Sequence, residues 1–320
     1  MKTHDLLIIG GGPAGVAAGV YASRKKLQTV LVTEAFGGQS IDSEGIENWV
    51  GTIKISGVEL AKSLENHLRA YAGDIVEIKT GKRVVEVRKH QDYTEENPLF
   101  VSIISNVSGD EFEEVISKSV LIATGSSHRK LPAKGADIFE HKGLTYCATC
   151  DGPLFGGQDV AVVGGGNAAL EAVAQLSAYC KSVTLINRSK TFRADPITVE
   201  KVLARPNVNV ITPAEVVEVK GEQFVNGLTY KNTESGEEKD LAVNGIFVEI
   251  GMLPATSFVK DIVELNEYNK VVVNPMTQRT KTTGIWASGD CTDGLYHQNN
   301  IAVGDAVKAL EDIYISLSRR

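Results

Sequence analysis

The sequence predicts an α/β protein with two Rossmann-like dinucleotide-binding domains of three-layer ββα type, the second inserted in the first. Three observations carry that expectation. Residues 5–32, DLLIIGGGPAGVAAGVYASRKKLQTVLV, pass from an apolar run through a glycine turn and an alanine-rich stretch to a second apolar run. Residues 159–186, DVAVVGGGNAALEAVAQLSAYCKSVTLI, repeat the plan. Between and after these units, RVVEVRKHQDYTEENPLFVSIISN, EFEEVISKSVLIATG and NVNVITPAEVVEVKGEQFVNGLTYKN alternate apolar and polar residues at the period of antiparallel strands.

Taken in order, the first apolar run is continuous rather than alternating, as expected of a strand buried on both faces. The turn after it is Gly10-x-Gly12-x-x-Gly15. Its glycines permit a tight turn, close approach to a pyrophosphate and close helix packing, while the helix N-terminus supplies amides and a positive dipole end. Glu34 closes the second strand, TVLVTEA, near the distance at which an acid accepts a ribose hydroxyl. The second turn is Gly164-x-Gly166-x-x-Ala169, with the permitted alanine at its third position. No linker rich in Pro, Gly or Ser separates the two units, so short crossings are expected. The expected boundaries are 1–123 and 251–320 for the discontinuous domain and 124–250 for the inserted one.

A chain of 320 residues is long enough for two domains, and 31 glycines suit many tight turns. A net charge of -7 without a basic run argues against nucleic acid or an anionic membrane as the main partner. The apolar runs are too short to span a bilayer. The N-terminus enters a strand almost at once, which leads us to expect a cytoplasmic protein. Four cysteines are too few for a disulfide scaffold.

The pair Cys147-Ala-Thr-Cys150 allows three readings. Half a zinc site would need further ligands, and the other cysteines, Cys180 and Cys291, stand alone. An inert core pair sits poorly with polar Thr149 and Asp151 beside it. A redox dithiol suits the spacing and the presence of two nucleotide loops, and is the reading we favour. The single cysteines read as small buried hydrophobes, and no metal is expected.

At this point the chain resembles the low-molecular-weight thioredoxin reductases and the related reductase component of alkyl hydroperoxide reductase. The resemblance covers nearly all 320 residues, through GGGPAG, GGQSIDSEGIENWVG, LIATGSSHRKLPAKG, CATCDG, VVGGGNAALEA, VEIGMLPAT and ASGDCTDGLYHQNNIAVGDAVKA in that order. It implies FAD on the first unit, held by Gly10, Gly12, Pro13, Ala14, Gly15 and Glu34. Gln39, Asn48, Thr124, Gly125, Gly289, Asp290 and Gln298 are implied along the rest of the cofactor. It implies that Cys150 faces the flavin, Cys147 attacks the substrate disulfide and Asp151 handles the proton. A domain rotation, hinged near Gly125 and Gly251, would let dithiol and nicotinamide alternate at one flavin.

In the family a second nucleotide, NADPH, is held by the later unit, here Gly164, Gly166, Asn167 and Ala168, with its 2'-phosphate on a run His-Arg-Arg-x-x-x-Arg. This chain has Asn187-Arg188-Ser189-Lys190-Thr191-Phe192-Arg193, so Arg188 and Arg193 remain, with Lys190 as a helper. The adjacent-arginine clamp is gone. NADPH is the leading donor, with NADH, ferredoxin or another donor as alternatives. The expected function is thioredoxin-disulfide reduction by a homodimeric flavoprotein acting on thioredoxin or a thioredoxin-like protein. A non-catalytic flavoprotein redox sensor is the alternative of another class.

Overall fold

The computed structural model describes residues 2–43 and 45–319; Glu44, within the quoted GGQSIDSEGIENWVG, lies outside them. The chain divides into two compact units, Met1–Ser127 with Leu253–Arg320, and His128–Met252. Both are α/β, and each combines a five-stranded parallel sheet with a smaller sheet containing antiparallel ladders.

In the first unit the parallel sheet runs Ile285–Ala287, Val120–Ile122, Leu6–Ile9, Thr29–Thr33, Val76–Thr80. Leu6, Leu7 and Ile8 are fully buried, each contributing about 1.5–3 kcal/mol by leaving water. The helix Pro13–Arg24 starts with proline at its first turn, where no intrahelical N–H is needed. Its small residues Ala14, Ala18 and Ala22 share a core with Ala302, Ala306 and Ala309 of the helix Asn299–Ser318. A second, four-stranded sheet runs Thr3–His4, Phe112–Ser117, Phe100–Asn106, Lys82–Lys89.

The second unit repeats the plan. Its parallel sheet runs Leu144–Thr145, Gly245–Val248, Asp159–Val163, Ser182–Ile186, Val208–Ile211, and an antiparallel sheet runs Ala214–Gly221, Val225–Asn232, Glu238–Leu241. Alternation led us to group Val120–Ile122 and Val208–Ile211 with the antiparallel strands, but both are parallel members of the five-stranded sheets. Val120–Ile122 is buried on both faces, so its continuous apolar run was the stronger signal.

In each unit the strand that leads into the glycine turn, Leu6–Ile9 or Asp159–Val163, lies between its sequential successor and a strand that returns from much later in the chain. The crevice beyond Ile9, and its counterpart beyond Val163, is therefore a topological switch point, where open α/β sheets bind ligands. Crossings fall at 127/128 and 252/253 rather than at 123/124 and 250/251. Gly125 and Gly251 flank them with left-handed φ of 65° and 104°. Among the described residues no helix is long and apolar enough to cross a membrane.

Candidate functional site

A cavity of about 590 Å³ opens at the switch point of the first unit, within the range of cofactor sites. Gly10, Gly12, Pro13, Ala14 and Glu34 line it at one end, and Gln39, Thr124, Gly125, Gly289 and Asp290 line it elsewhere. Gly15 lies beneath the turn, where a Cβ would stand 1.9 Å from the Gly10 carbonyl oxygen. A Cβ on Gly12, by contrast, would meet nothing nearer than Gly38 Cα at 3.9 Å and would project toward the cavity.

The chemistry of this cavity fits FAD. Gln39 donates its amide to the Ser126 carbonyl, leaving its buried Oε1 without a partner among the described residues. Ser288 Oγ, also in the lining, is likewise buried and unpartnered. Two orphaned polar atoms beside an open glycine turn suit an elongated, polar cofactor with a pyrophosphate. Asn48 and Gln298 do not line the cavity; Asn48 Nδ2 donates to Gln298 Oε1 at 3.0 Å. Sequence reasoning missed a chain behind Asp290. His297 Nδ1 lies 3.6 Å from the Asp290 carboxylate, Lys270 Nζ lies 2.6 Å from His297 Nε2, and burial holds Lys270 below the usual lysine range.

The second glycine turn is built alike. A Cβ on Gly164 would meet the Glu249 carbonyl oxygen at 2.3 Å, whereas Gly166 faces open space. The loop after Ile186 folds over it, with Arg193 N–H donating to Gly165 O at 2.7 Å and Asp195 N–H to Asn167 Oδ1 at 2.9 Å. Asn187 is buried and spends its amide on the carbonyls of Ser189 and Thr191. Arg188, Arg193 and Ala168 are exposed, and neither arginine has an ion-pair partner among the described residues. Lys190, expected to assist them, is instead paired with Glu234 at 2.7 Å.

Cys147 and Cys150 form a disulfide. The strand Leu144–Thr145 delivers them to the C-terminal edge of the sheet, at the start of the one-turn helix Ala148–Asp151. Cys150 N–H points at Cys147 Sγ, 3.1 Å away. Thr145 donates its hydroxyl to Asp151, which anchors the carboxylate beside the pair. Glu249, not singled out from the sequence, directly follows the neighbouring strand Gly245–Val248; the apolar run GIFV broken by an acid was the available signal. Burial, aided by the Glu171 carboxylate, pushes its carboxyl up to about 8, against the pull of the Ala148 N–H. Cys180 and Cys291 are buried free thiols, each pushed up to about 11 by burial, and are poor nucleophiles. Among the described residues no group of three or more His, Cys, Asp or Glu side chains could hold a metal.

Known proteins share this arrangement. The chain is 37% identical over 308 residues to an NADH dehydrogenase of Bacillus subtilis, covering 96% of this chain and 57% of that protein. It is 39% identical over 306 residues to the F component of the alkyl hydroperoxide reductase of Pseudomonas aeruginosa, covering 95% and 56%. The chain thus spans a little over half the length of these relatives. The thioredoxin reductase of Streptococcus pyogenes superposes with a TM-score of 0.88 at 32% identity, covering 99% of each chain. The sequence pattern of the pyridine nucleotide-disulphide oxidoreductases matches residues 4–306, and with two nucleotide folds and a dithiol-forming pair in place, the chain belongs to that family.

Proposed function

We propose that this flavoprotein is a disulfide reductase that passes electrons from a reduced pyridine nucleotide through FAD and the Cys147/Cys150 pair to thioredoxin or a thioredoxin-like protein. The observation that carries this reading is a disulfide, Cys147–Cys150, at the strand edge of the unit that bears the second glycine turn. FAD, when bound, supplies two-electron chemistry between a nicotinamide and a disulfide. The chain's own residues do the remainder. Opening Cys147–Cys150 with two electrons leaves Cys147 as a thiolate and Cys150 as a thiol, and Asp151, held by Thr145, relays protons at this point, so that two protons end on the substrate dithiol together with the two electrons. The Cys147 thiolate attacks the substrate disulfide to form a mixed disulfide. Cys150 then resolves it, restoring the internal bond and releasing the substrate as a dithiol.

The donor has a second reading, NADH, which the engagement of Asn187 with its own loop and of Lys190 with Glu234 favours. Both leave Arg188 and Arg193 as the cations available to a 2'-phosphate. Anaerobic titration of the purified protein with NADPH and then NADH, followed by flavin absorbance, tests the donor. Multiple-turnover reduction of thioredoxin tests the acceptor, and a stop after one turnover would favour the sensor alternative. If neither nucleotide bleaches the flavin, the donor reading fails and ferredoxin becomes the next candidate.

A further inference from the structure

The strand Gly245–Val248 lies between the strand leading to the dithiol and the strand leading to the second glycine turn. Leu144 pairs with Ile246 and Thr145 with Phe247 on one side, and Val163 pairs with Val248 on the other. Carried past the last pair, this register sets Glu249 beside Cys147 on one flank and Gly164 on the other. Backbone contacts agree, with Glu249 N–H donating to Val163 O at 2.8 Å. The Glu249 carboxylate accepts from the N–H of Ala148, the residue next to Cys147.

The turn itself does not require an acid here. In the first unit Gly10 is crowded in the same way by the Ala123 carbonyl, where a Cβ would stand at 2.2 Å, against 2.3 Å for Gly164 and Glu249. An alanine therefore serves the packing role in one repeat, while the other places a carboxyl on the backbone of the dithiol. We propose that Glu249 is a positioning and charge-setting residue for the Cys147/Cys150 pair, its carboxyl governing how readily the reduced Cys147 carries a thiolate. A negative charge beside a thiol disfavours the thiolate, so ionised Glu249 raises the pH at which Cys147 loses its proton.

The groups facing Glu249 are few. By register Cys147 lies beside it, in the segment after Leu144–Thr145 that goes on to Cys150 and Asp151, and Glu171 acts on it from the helix Asn167–Leu176. The strand Asp159–Val163 brings no titratable side chain to that end. Among the described residues, the charge that acts on the Glu249 carboxyl is that of Glu171, an acid, and it works in the same direction as burial. Two-electron reduction by dithiothreitol breaks the S–S bond and takes up two protons when both sulfurs end as thiols. It takes up one when Cys147 stays a thiolate, and Glu249 shifts the pH at which that count changes.

The role rests on the disulfide-reductase reading for its purpose, but its test needs neither nucleotide nor protein substrate. The flavin-bound protein is reduced with dithiothreitol, freed of it anaerobically, and alkylated with iodoacetamide across the pH range, with Cys147 followed by peptide mass. In Glu249→Gln, which keeps an acceptor for Ala148, the Cys147 titration should move down by about half to one pH unit. At a fixed pH below the midpoint, that is about three- to tenfold more thiolate. Glu249→Asp, which keeps the charge, should stay close to the parent. Glu171→Gln, at an exposed helix position, should lower the pH of the Glu249 step. Coincident Cys147 curves for the parent and Glu249→Gln would overturn the proposal. If Glu249→Gln does not fold, an unmoved curve in Glu171→Gln overturns it instead. Loss of thioredoxin turnover with these shifts intact would count against the reductase reading alone.

Discussion

The Asn187 amide donates to the Ser189 carbonyl at 2.6 Å, so position 187 is committed to shaping its own loop and not to a ligand. Ser189 itself is exposed, and its side chain can be replaced without disturbing that bond. Ser189→Arg should therefore restore an adjacent pair with Arg188. A charge-assisted hydrogen bond worth about 1.5–3 kcal/mol corresponds to about a ten- to hundredfold lower Michaelis constant for NADPH. NADH, which lacks the 2'-phosphate, should change little, and added salt should weaken NADPH more than NADH. Steady-state kinetics with both nucleotides on parent and variant decide it, and an equal gain for both would contradict the assignment of this loop.

Gly12 and Gly15 should separate cofactor binding from folding. Gly12→Ala adds a methyl where the nearest atom is 3.9 Å away, so the fold should persist while a pyrophosphate is kept off the turn. The expected result is unchanged far-ultraviolet circular dichroism with at least about a tenfold loss of FAD affinity, or about 1.4 kcal/mol. Gly15→Ala would set its Cβ 1.9 Å from a backbone oxygen and should cut soluble yield and melting temperature. A fully yellow Gly12→Ala protein would place the cofactor elsewhere.

Serine at either cysteine keeps the size but cannot form the thiolate that exchange requires. Both variants should lose multiple-turnover disulfide reduction. Cys147→Ser should retain a Cys150-dependent perturbation of the flavin spectrum and Cys150→Ser should lose it, as read by absorbance spectra of the two variants across the pH range. Identical spectra would leave the dithiol standing but remove the division of labour.

The elevated carboxyl of Glu249 also makes stability depend on pH. Its folded-state value, about 8, lies above the ordinary 4.5, so the folded protein holds a proton that the unfolded chain releases. Its stabilising contribution is full below the ordinary value and is lost as pH rises through that window toward the folded value. Each pH unit inside the window is worth up to about 1.4 kcal/mol. Glu249→Gln has no proton to lose. Its melting temperature should gain on the parent steadily between about pH 5 and pH 8, and parallel curves would show that Glu249 titrates normally.

Much of this was legible in the chain because the physics is local. The glycine turns, the runs buried on both faces and the closely spaced cysteines are each set by a few consecutive residues. What escaped depends on registry between distant segments. Val120–Ile122 and Val208–Ile211 looked like partners of the alternating strands they adjoin, yet the first pairs in parallel with strands far away in sequence and the second pairs in parallel with Ser182–Ile186, across the helix Pro196–Leu203. Lys190 read as a free cation until Glu234, on a hairpin turn, came to meet it. Glu249 is near Cys147 only because two strands distant in sequence run side by side. Asn48 and Gln298 were expected along the cofactor, and their mutual hydrogen bond spans 250 positions.

The second unit begins and ends at neighbouring points. Arg129 N–H donates to Gly251 O at 3.0 Å within it, and Ala255 N–H donates to Gly125 O at 3.1 Å within the first unit. Removing the segment between would leave the outer unit with stumps already in contact, and the excised piece with its own ends one hydrogen bond apart. A gene for such a protein can accept an exchanged cassette here without either module having to bridge a gap, so a new electron donor or acceptor can be grafted onto an old flavin module by recombination at two spots.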